Sequence, residues 1–120
     1  MKIAFQHRSL SYLLCLSLIF IGCASTFTPG PVLVSSGIRF QLLYPEAKTV
    51  AIAGNFNNWD PTTHILDKDS AASWFIILPL SKGRYQYLFV IDQKTWVPDP
   101  GAEMLIDDGF GQKNSLLIVQ

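Results

Sequence analysis

The sequence predicts an all-β fold, an antiparallel β-sandwich of about seven short strands. Three observations lead there. Apolar and polar residues alternate with the period of two that a half-buried strand requires. Clusters of Gly, Pro, Asn, Asp and Ser interrupt the apolar segments at short intervals. Past the N-terminal region, no stretch carries the 3.6-residue periodicity of an amphipathic helix.

In order along the chain, Ile38, Phe40, Leu42 and Tyr44 alternate with Arg39, Gln41 and Leu43, and this is the first strand. Pro45-Glu46-Ala47-Lys48 reads as a turn, and Thr49 to Gly54 as the second strand. Asn55 to about Ser70 is a long polar connection with room for a short strand near His64-Ile65-Leu66. Ser73 to Leu80 and Arg84 to Ile91 are strands joined by the turn Ser81-Lys82-Gly83. In the second of these, Tyr85, Tyr87, Phe89 and Ile91 share the core face, and Gln86, Leu88 and Val90 share the other. Asp92 to Thr95 is a hairpin loop, Pro98-Asp99-Pro100-Gly101 breaks the chain, and Asn114 to Val119 is the last strand. No internal repeat is present.

The sandwich is assigned to residues 37–120, large enough for one core. Ahead of it, residues 1–22 read as an export signal. Lys2, His7 and Arg8 form a basic start, and Leu10 to Ile21 is an apolar run, too short to span a bilayer, where about 20 residues are needed. The run ends in Phe20-Ile21-Gly22-Cys23-Ala24-Ser25, which resembles a bacterial lipoprotein processing site, with Phe20 where Leu is usual. The resemblance implies cleavage before Cys23 and acylation of that cysteine, with several chains giving stable anchoring. Ala24 after the cysteine implies an outer-membrane destination, facing periplasm or surface. The alternative is a plain secretory signal with unmodified Cys23. Residues 23–36 would then follow as a lipidated cysteine and a flexible tether rich in Ser, Thr, Pro and Gly.

Charge and composition exclude several classes. Nine Lys plus Arg balance nine Asp plus Glu, so no basic field exists for nucleic acid. Without Lys2 and Arg8, seven basic residues face nine acidic ones. Both cysteines, Cys15 and Cys23, lie in the leader region, which leaves the sandwich without thiol or disulfide chemistry. No metal-ligand spacing or phosphate-binding loop occurs, and no cofactor is expected. Asp107 and Asp108 are adjacent, so their side chains diverge and read as a solvated turn rather than a catalytic pair. His64 reads as a structural loop residue.

The segment Ala51-Ile-Ala-Gly-Asn-Phe-Asn-Asn-Trp-Asp-Pro61 carries most of the functional information. A strand enters an Asn-rich turn whose Asn57 and Asn58 tolerate left-handed backbone, and the turn delivers Trp59 out of the sheet. A ring so placed is either a plug for the core or a platform for a flat ligand face. Trp96 falls in a polar loop rather than an alternating strand, which also favours a platform. Trp74 lies within the strand read from Ser73 to Leu80.

Gly54-Asn-Phe-Asn-Asn-Trp59, Ser73-Trp74, Lys82-Gly-Arg-Tyr-Gln-Tyr87, Trp96-Val-Pro-Asp-Pro100 and Lys113-Asn-Ser115 resemble, in order and spacing, family-48 carbohydrate-binding modules. That group includes the glycogen-binding domain of the AMP-activated kinase β subunit and N-terminal domains of isoamylase and branching enzymes. The resemblance covers about residues 37–120 and implies an immunoglobulin-like sandwich. It implies that Trp59 and Trp96 stack on α-linked glucose units, with Phe110 and Asn114 assisting, and that Trp74 packs against the sheet. The family's lysine in the Gly-x-Tyr-x-Tyr strand is here Leu88, and Gln93 follows Asp92 where glycine is usual. Asn114 can serve a sugar hydroxyl or the backbone at its strand start.

The expected function is noncatalytic binding of an α-glucan by an envelope-anchored lipoprotein. Stacking of about 1–3 kcal/mol per ring gives roughly micromolar to millimolar affinity. A different class of function also fits. The sandwich would be an envelope protein-interaction module, for which Leu88 beside two tryptophans supplies an apolar patch. An accessory role, bringing a separate glucan-active enzyme to its polymer, is a third.

Overall fold

The computed structural model describes Gly22, residues 28–69 and residues 72–120. The expected signal segment apart from Gly22, and Cys23 with the start of the tether, lie outside the described residues.

Among the described residues, nine strands pack as two antiparallel sheets: β1 (Val32–Val34), β2 (Gly37–Leu43), β3 (Val50–Gly54), β4 (Asp67–Lys68), β5 (Ser73–Leu78), β6 (Gly83–Ile91), β7 (Thr95–Val97), β8 (Met104–Asp107) and β9 (Lys113–Val119). The first sheet has the order β1-β2-β5-β4 and the second β3-β6-β9-β8. No helix occurs among the described residues. The all-β sandwich predicted from alternation is therefore the observed fold.

The alternating residues bury as their period requires. Ile38, Phe40 and Leu42 of β2 pack with Tyr87, Phe89 and Ile91 of β6 in one core, which Trp74 of β5 joins from the first sheet and Val50 and Ile52 of β3 from the second. Phe40 meets Tyr87 edge to face with ring centroids 5.0 Å apart. The Trp74 indole N–H, buried with its ring, donates to the Tyr44 carbonyl at 3.0 Å. Burial of each such large side chain contributes about 1.5–3 kcal/mol.

β6 is the spine of the second sheet. β3 pairs one edge of it along Tyr87–Ile91. The other edge is divided: β9 takes Gly83–Tyr87 and β7 takes Phe89–Ile91. The free edge of β3 is covered by the chain at His64–Leu66, where the Ile52 N–H donates to the His64 carbonyl at 3.0 Å and the Leu66 N–H to the Val50 carbonyl at 2.8 Å. The same chain then crosses to the other sheet as β4, pairing β5. A covered edge cannot recruit a foreign strand.

Four elements depart from the sequence reading. β1 lies inside the expected tether and pairs β2, with Val32 opposite Arg39. Gly30 also leaves the tether: it packs so closely on Gly101 that an added Cβ would meet the Gly101 carbonyl at 2.0 Å. β7 occupies the expected polar loop around Trp96, β8 has no counterpart in the sequence reading, and β4 at Asp67–Lys68 follows the short strand expected near His64-Ile65-Leu66, which is present as a single bridge from Ile65 to Ala51. These strands span two to four residues. Such lengths show too little alternation to be read, and pairing with a longer neighbour makes them strands.

Candidate functional site

The outer face of the second sheet carries the residues singled out above. In β3 the outward positions are Ala51 and Ala53, which pair with Val90 and Leu88 of β6. The two alanines leave a shelf, and Trp59 packs onto the cluster of Ala51, Ala53 and Val90. Trp59 is half-buried. The ring thus rests on the sheet from outside and takes no part in the sandwich core.

The turn that delivers it is held by side-chain amides. The Gly54 N–H donates to Asn57 Oδ1 at 2.9 Å, while Asn57 Nδ2 lies 3.0 Å from the Ile52 carbonyl. Asn58 and Trp59 both adopt left-handed backbone, φ 56° and 57°. For a residue as large as Trp that conformation costs about 1–2 kcal/mol. The Trp59 N–H donates to the Gly54 carbonyl at 2.9 Å, closing the turn. Asn55 prolongs the β3–β6 ladder, its Oδ1 accepting from the Gln86 N–H at 3.1 Å. Past the ring, hydrogen bonds from the Thr62 hydroxyl and N–H to Asp60 fix the exit and hold that carboxyl below its ordinary range.

Trp96 reaches the same face by another route. It stands opposite Val90 in the β6–β7 ladder, so it projects on the side where Val90 carries Trp59. It is 42% exposed. The β6–β7 hairpin is tied to β3 through Asp92, whose Oδ1 accepts from the Lys48 N–H at 2.7 Å and the Thr49 N–H at 3.0 Å. The bonds from Thr49 and Lys48 keep the Asp92 carboxyl below its ordinary range.

Beside Trp59 a shallow groove of about 500 Å³ is lined by Trp59, Gln86, Leu88, Asp107, Asp108, Phe110 and Asn114. Trp59, Phe110 and Asn114 therefore come together, while Trp96 stands outside the groove on the same face. Phe110 is 91% exposed. Its loop is set by Asp108, which accepts from the Phe110 N–H at 2.7 Å and the Gln112 N–H at 3.1 Å. Leu88 gives the groove an apolar lining where the family pattern has a lysine. Asn114 is buried, and its Nδ2 donates to Gln86 Oε1 at 3.2 Å, a side-chain partner rather than a strand-start backbone bond. Each amide keeps donor or acceptor capacity beyond that bond.

Gln86 is the residue that sequence reasoning did not single out. Its signal was present: it shares the outward face of β6 with Leu88 and Val90. Its partnership with Asn114 depends on the β6–β9 register. Asp107 pairs with Lys113 at 2.8 Å with both side chains exposed, so the pair contributes little to stability.

Beneath the face lies a polar cluster. The Tyr87 hydroxyl donates to Asp99 Oδ2 at 2.6 Å, the Gly101 N–H to Asp99 Oδ1 at 2.7 Å, and the Asp99 N–H to Ser115 Oγ at 2.7 Å. Burial pushes the Asp99 carboxyl above its ordinary range, and burial beside that carboxylate pushes the Tyr87 phenol up as well. Among the described residues, no group of His, Cys, Asp and Glu is placed to hold a metal ion.

A small β-sandwich with aromatic rings standing on one outer sheet face has the form of a carbohydrate-binding module. Residues 38–120 match the family described as the glycogen recognition site of AMP-activated protein kinase, and the chain belongs to that family. It is a family of noncatalytic modules. Similar proteins include the 1,4-alpha-glucan branching enzyme GlgB 2 of Xanthomonas campestris pv. campestris (strain 8004), 34% identical over 55 residues, which are 44% of this chain and 8% of that protein. The branching enzyme GlgB of Marinobacter nauticus is 29% identical over 79 residues, 65% of this chain and 12% of the relative. That of Shewanella sp. (strain W3-18-1) is 41% identical over 44 residues, 36% and 6%. The chain thus matches only a small part of the length of each of these enzymes.

Proposed function

We propose that the outer face of the second sheet binds an α-glucan, with Trp59 and Trp96 stacking on glucose rings and Asn114 and Phe110 assisting from the groove. The observation that carries this reading is that both tryptophans neighbour Val90 on one face. Two rigid aromatic surfaces there suit the hydrogen-rich faces of successive sugars in a curved chain. Gln86 joins Asn114 in offering amide groups to hydroxyls. The proposed setting is the cell envelope, with lipidated Cys23 as membrane anchor, so the ligand would be an external maltodextrin, starch fragment or envelope glycan rather than cytoplasmic glycogen.

Retention on insoluble starch and glycogen tests the site. The wild-type protein is retained, and Trp59→Ala and Trp96→Ala are not. A wild-type protein that flows through while circular dichroism shows an intact β fold ends the glucan reading. Anchoring is tested separately: Cys23→Ser moves the protein from the membrane fraction to the soluble fraction of the envelope.

A specific observation favours a second reading, an envelope protein-interaction module. Leu88 lines the groove, Phe110 beside it is 91% exposed, and Met104 on β8, in register with Gln86 through Leu116, is also exposed. Leu88→Lys discriminates the two. It strengthens retention on starch if the groove serves sugar, and weakens capture of an envelope partner if the apolar lining serves protein. The third role, recruiting a separate glucan-active enzyme, requires both.

A further inference from the structure

β7 and β9 divide one edge of β6, and they meet end to end at Leu88, which pairs with neither. Trp96 belongs to the first of these short ladders, and Asn114 stands in β9 one residue before the second begins at Ser115. Asp99 spans this break. Its N–H donates to Ser115 Oγ, beside Asn114, and its Oδ2 accepts from Tyr87, the residue before Leu88. Asp99 is 2% exposed and Ser115 is fully buried, so the bridge is shielded from water. Only Val97 and Pro98 separate Trp96 from Asp99, and Pro98 and Pro100 restrict the backbone on both sides. The link from the clamp to the ring is short and stiff.

We propose that Asp99 is a positioning residue that sets the spacing between Trp96 and Asn114, and hence the length and curvature of glucan that the face accepts. This rests on the glucan reading above. Asp99 itself touches no ligand. It acts by joining two strand segments that the sheet leaves unjoined.

The test uses Ser115→Ala, which removes one acceptor from the bridge with little change of volume, with Tyr87→Phe as the second variant should Ser115→Ala not fold. Maltoheptaose affinity is measured by calorimetry at a temperature where circular dichroism shows full folding. Ser115→Ala is expected to weaken binding about fivefold or more, the low end of what one misplaced ring would lose. In a Trp96→Ala background the same change is expected to have no further effect. An equal loss in both backgrounds, or none in either, overturns the proposal. A ligand-free readout stands beside it: in nitrogen–proton correlation spectra the Trp96 indole signal moves in Ser115→Ala and the Trp59 indole signal does not. If wild type fails to bind maltoheptaose, the glucan reading falls, and the spectra then decide alone whether Asp99 places Trp96. An unmoved Trp96 signal overturns it.

Discussion

Asn57 and His64 meet across the turn that presents Trp59, with Asn57 Nδ2 3.0 Å from His64 Nδ1. An amide nitrogen can only donate, so in this contact His64 Nδ1 is the acceptor. The same amide reaches the Ile52 carbonyl, and its oxygen takes the Gly54 N–H. One side chain thus joins the end of β3 to both arms of the loop.

Asn57→Ala should therefore destabilise the protein by about 1–3 kcal/mol, the range for leaving part-buried partners unsatisfied. It should also loosen Trp59, which has to hold a left-handed backbone. Urea denaturation gives the first quantity and the wavelength of tryptophan fluorescence the second. A native-like midpoint would show that the turn stands without the amide.

The three tryptophans separate stability from surface. Trp74 is 6% exposed and hydrogen-bonded in the core, and its replacement by alanine should cost about 3–5 kcal/mol. Trp96, 42% exposed in the middle of a three-residue strand, should cost within about 1 kcal/mol. Thermal melts of the two variants make the comparison. A large loss in Trp96→Ala would make that ring a packing element instead of a platform.

Asp92 and Gln93 at the β6–β7 hairpin both have left-handed backbone, φ 50° and 61°. Glycine suffers no Cβ penalty there, while its freer unfolded chain offsets part of the gain. Gln93→Gly should raise stability by up to about 1 kcal/mol. Chemical denaturation measures it, and a lower stability would contradict the strain assigned to this turn.

Asp99 makes stability depend on pH with a defined sign. Its folded pKa is raised above the ordinary 3.8, so folding favours the protonated form. The stability it contributes is complete below the ordinary value and is lost as pH rises through the folded one. The stability of wild type minus that of Asp99→Asn should fall as pH rises above the ordinary 3.8. A difference that stays flat, or grows, in denaturation series across that window would refute the assignment.

Much of the sandwich was legible because long strands advertise themselves. The alternation in Ile38 to Tyr44 and in Arg84 to Ile91 determines which side chains face inward, whatever the neighbours are. The delivery of Trp59 by an Asn-rich turn was also legible, because backbone conformation near Asn57 and Asn58 is a local matter. Whether the ring would plug the core was not. That depended on Ala51 and Ala53 standing opposite Val90 and Leu88, a register set between strands more than thirty residues apart. Trp96 was read into a loop because β7 has no alternation of its own; Phe89, Val90 and Ile91 make it a strand by pairing with it.

By itself, then, the sequence determined the all-β class, the inward faces of the long strands and the outward turn at Trp59. These follow from period, turn chemistry and residue size, which act over a few neighbours. Only the tertiary structure decided that Trp59 and Trp96 share one face, that Gln86 partners Asn114, and that Asp99 bridges β6, β7 and β9. Those relations arise from strand order and register, in which distant segments meet, and no local pattern encodes them.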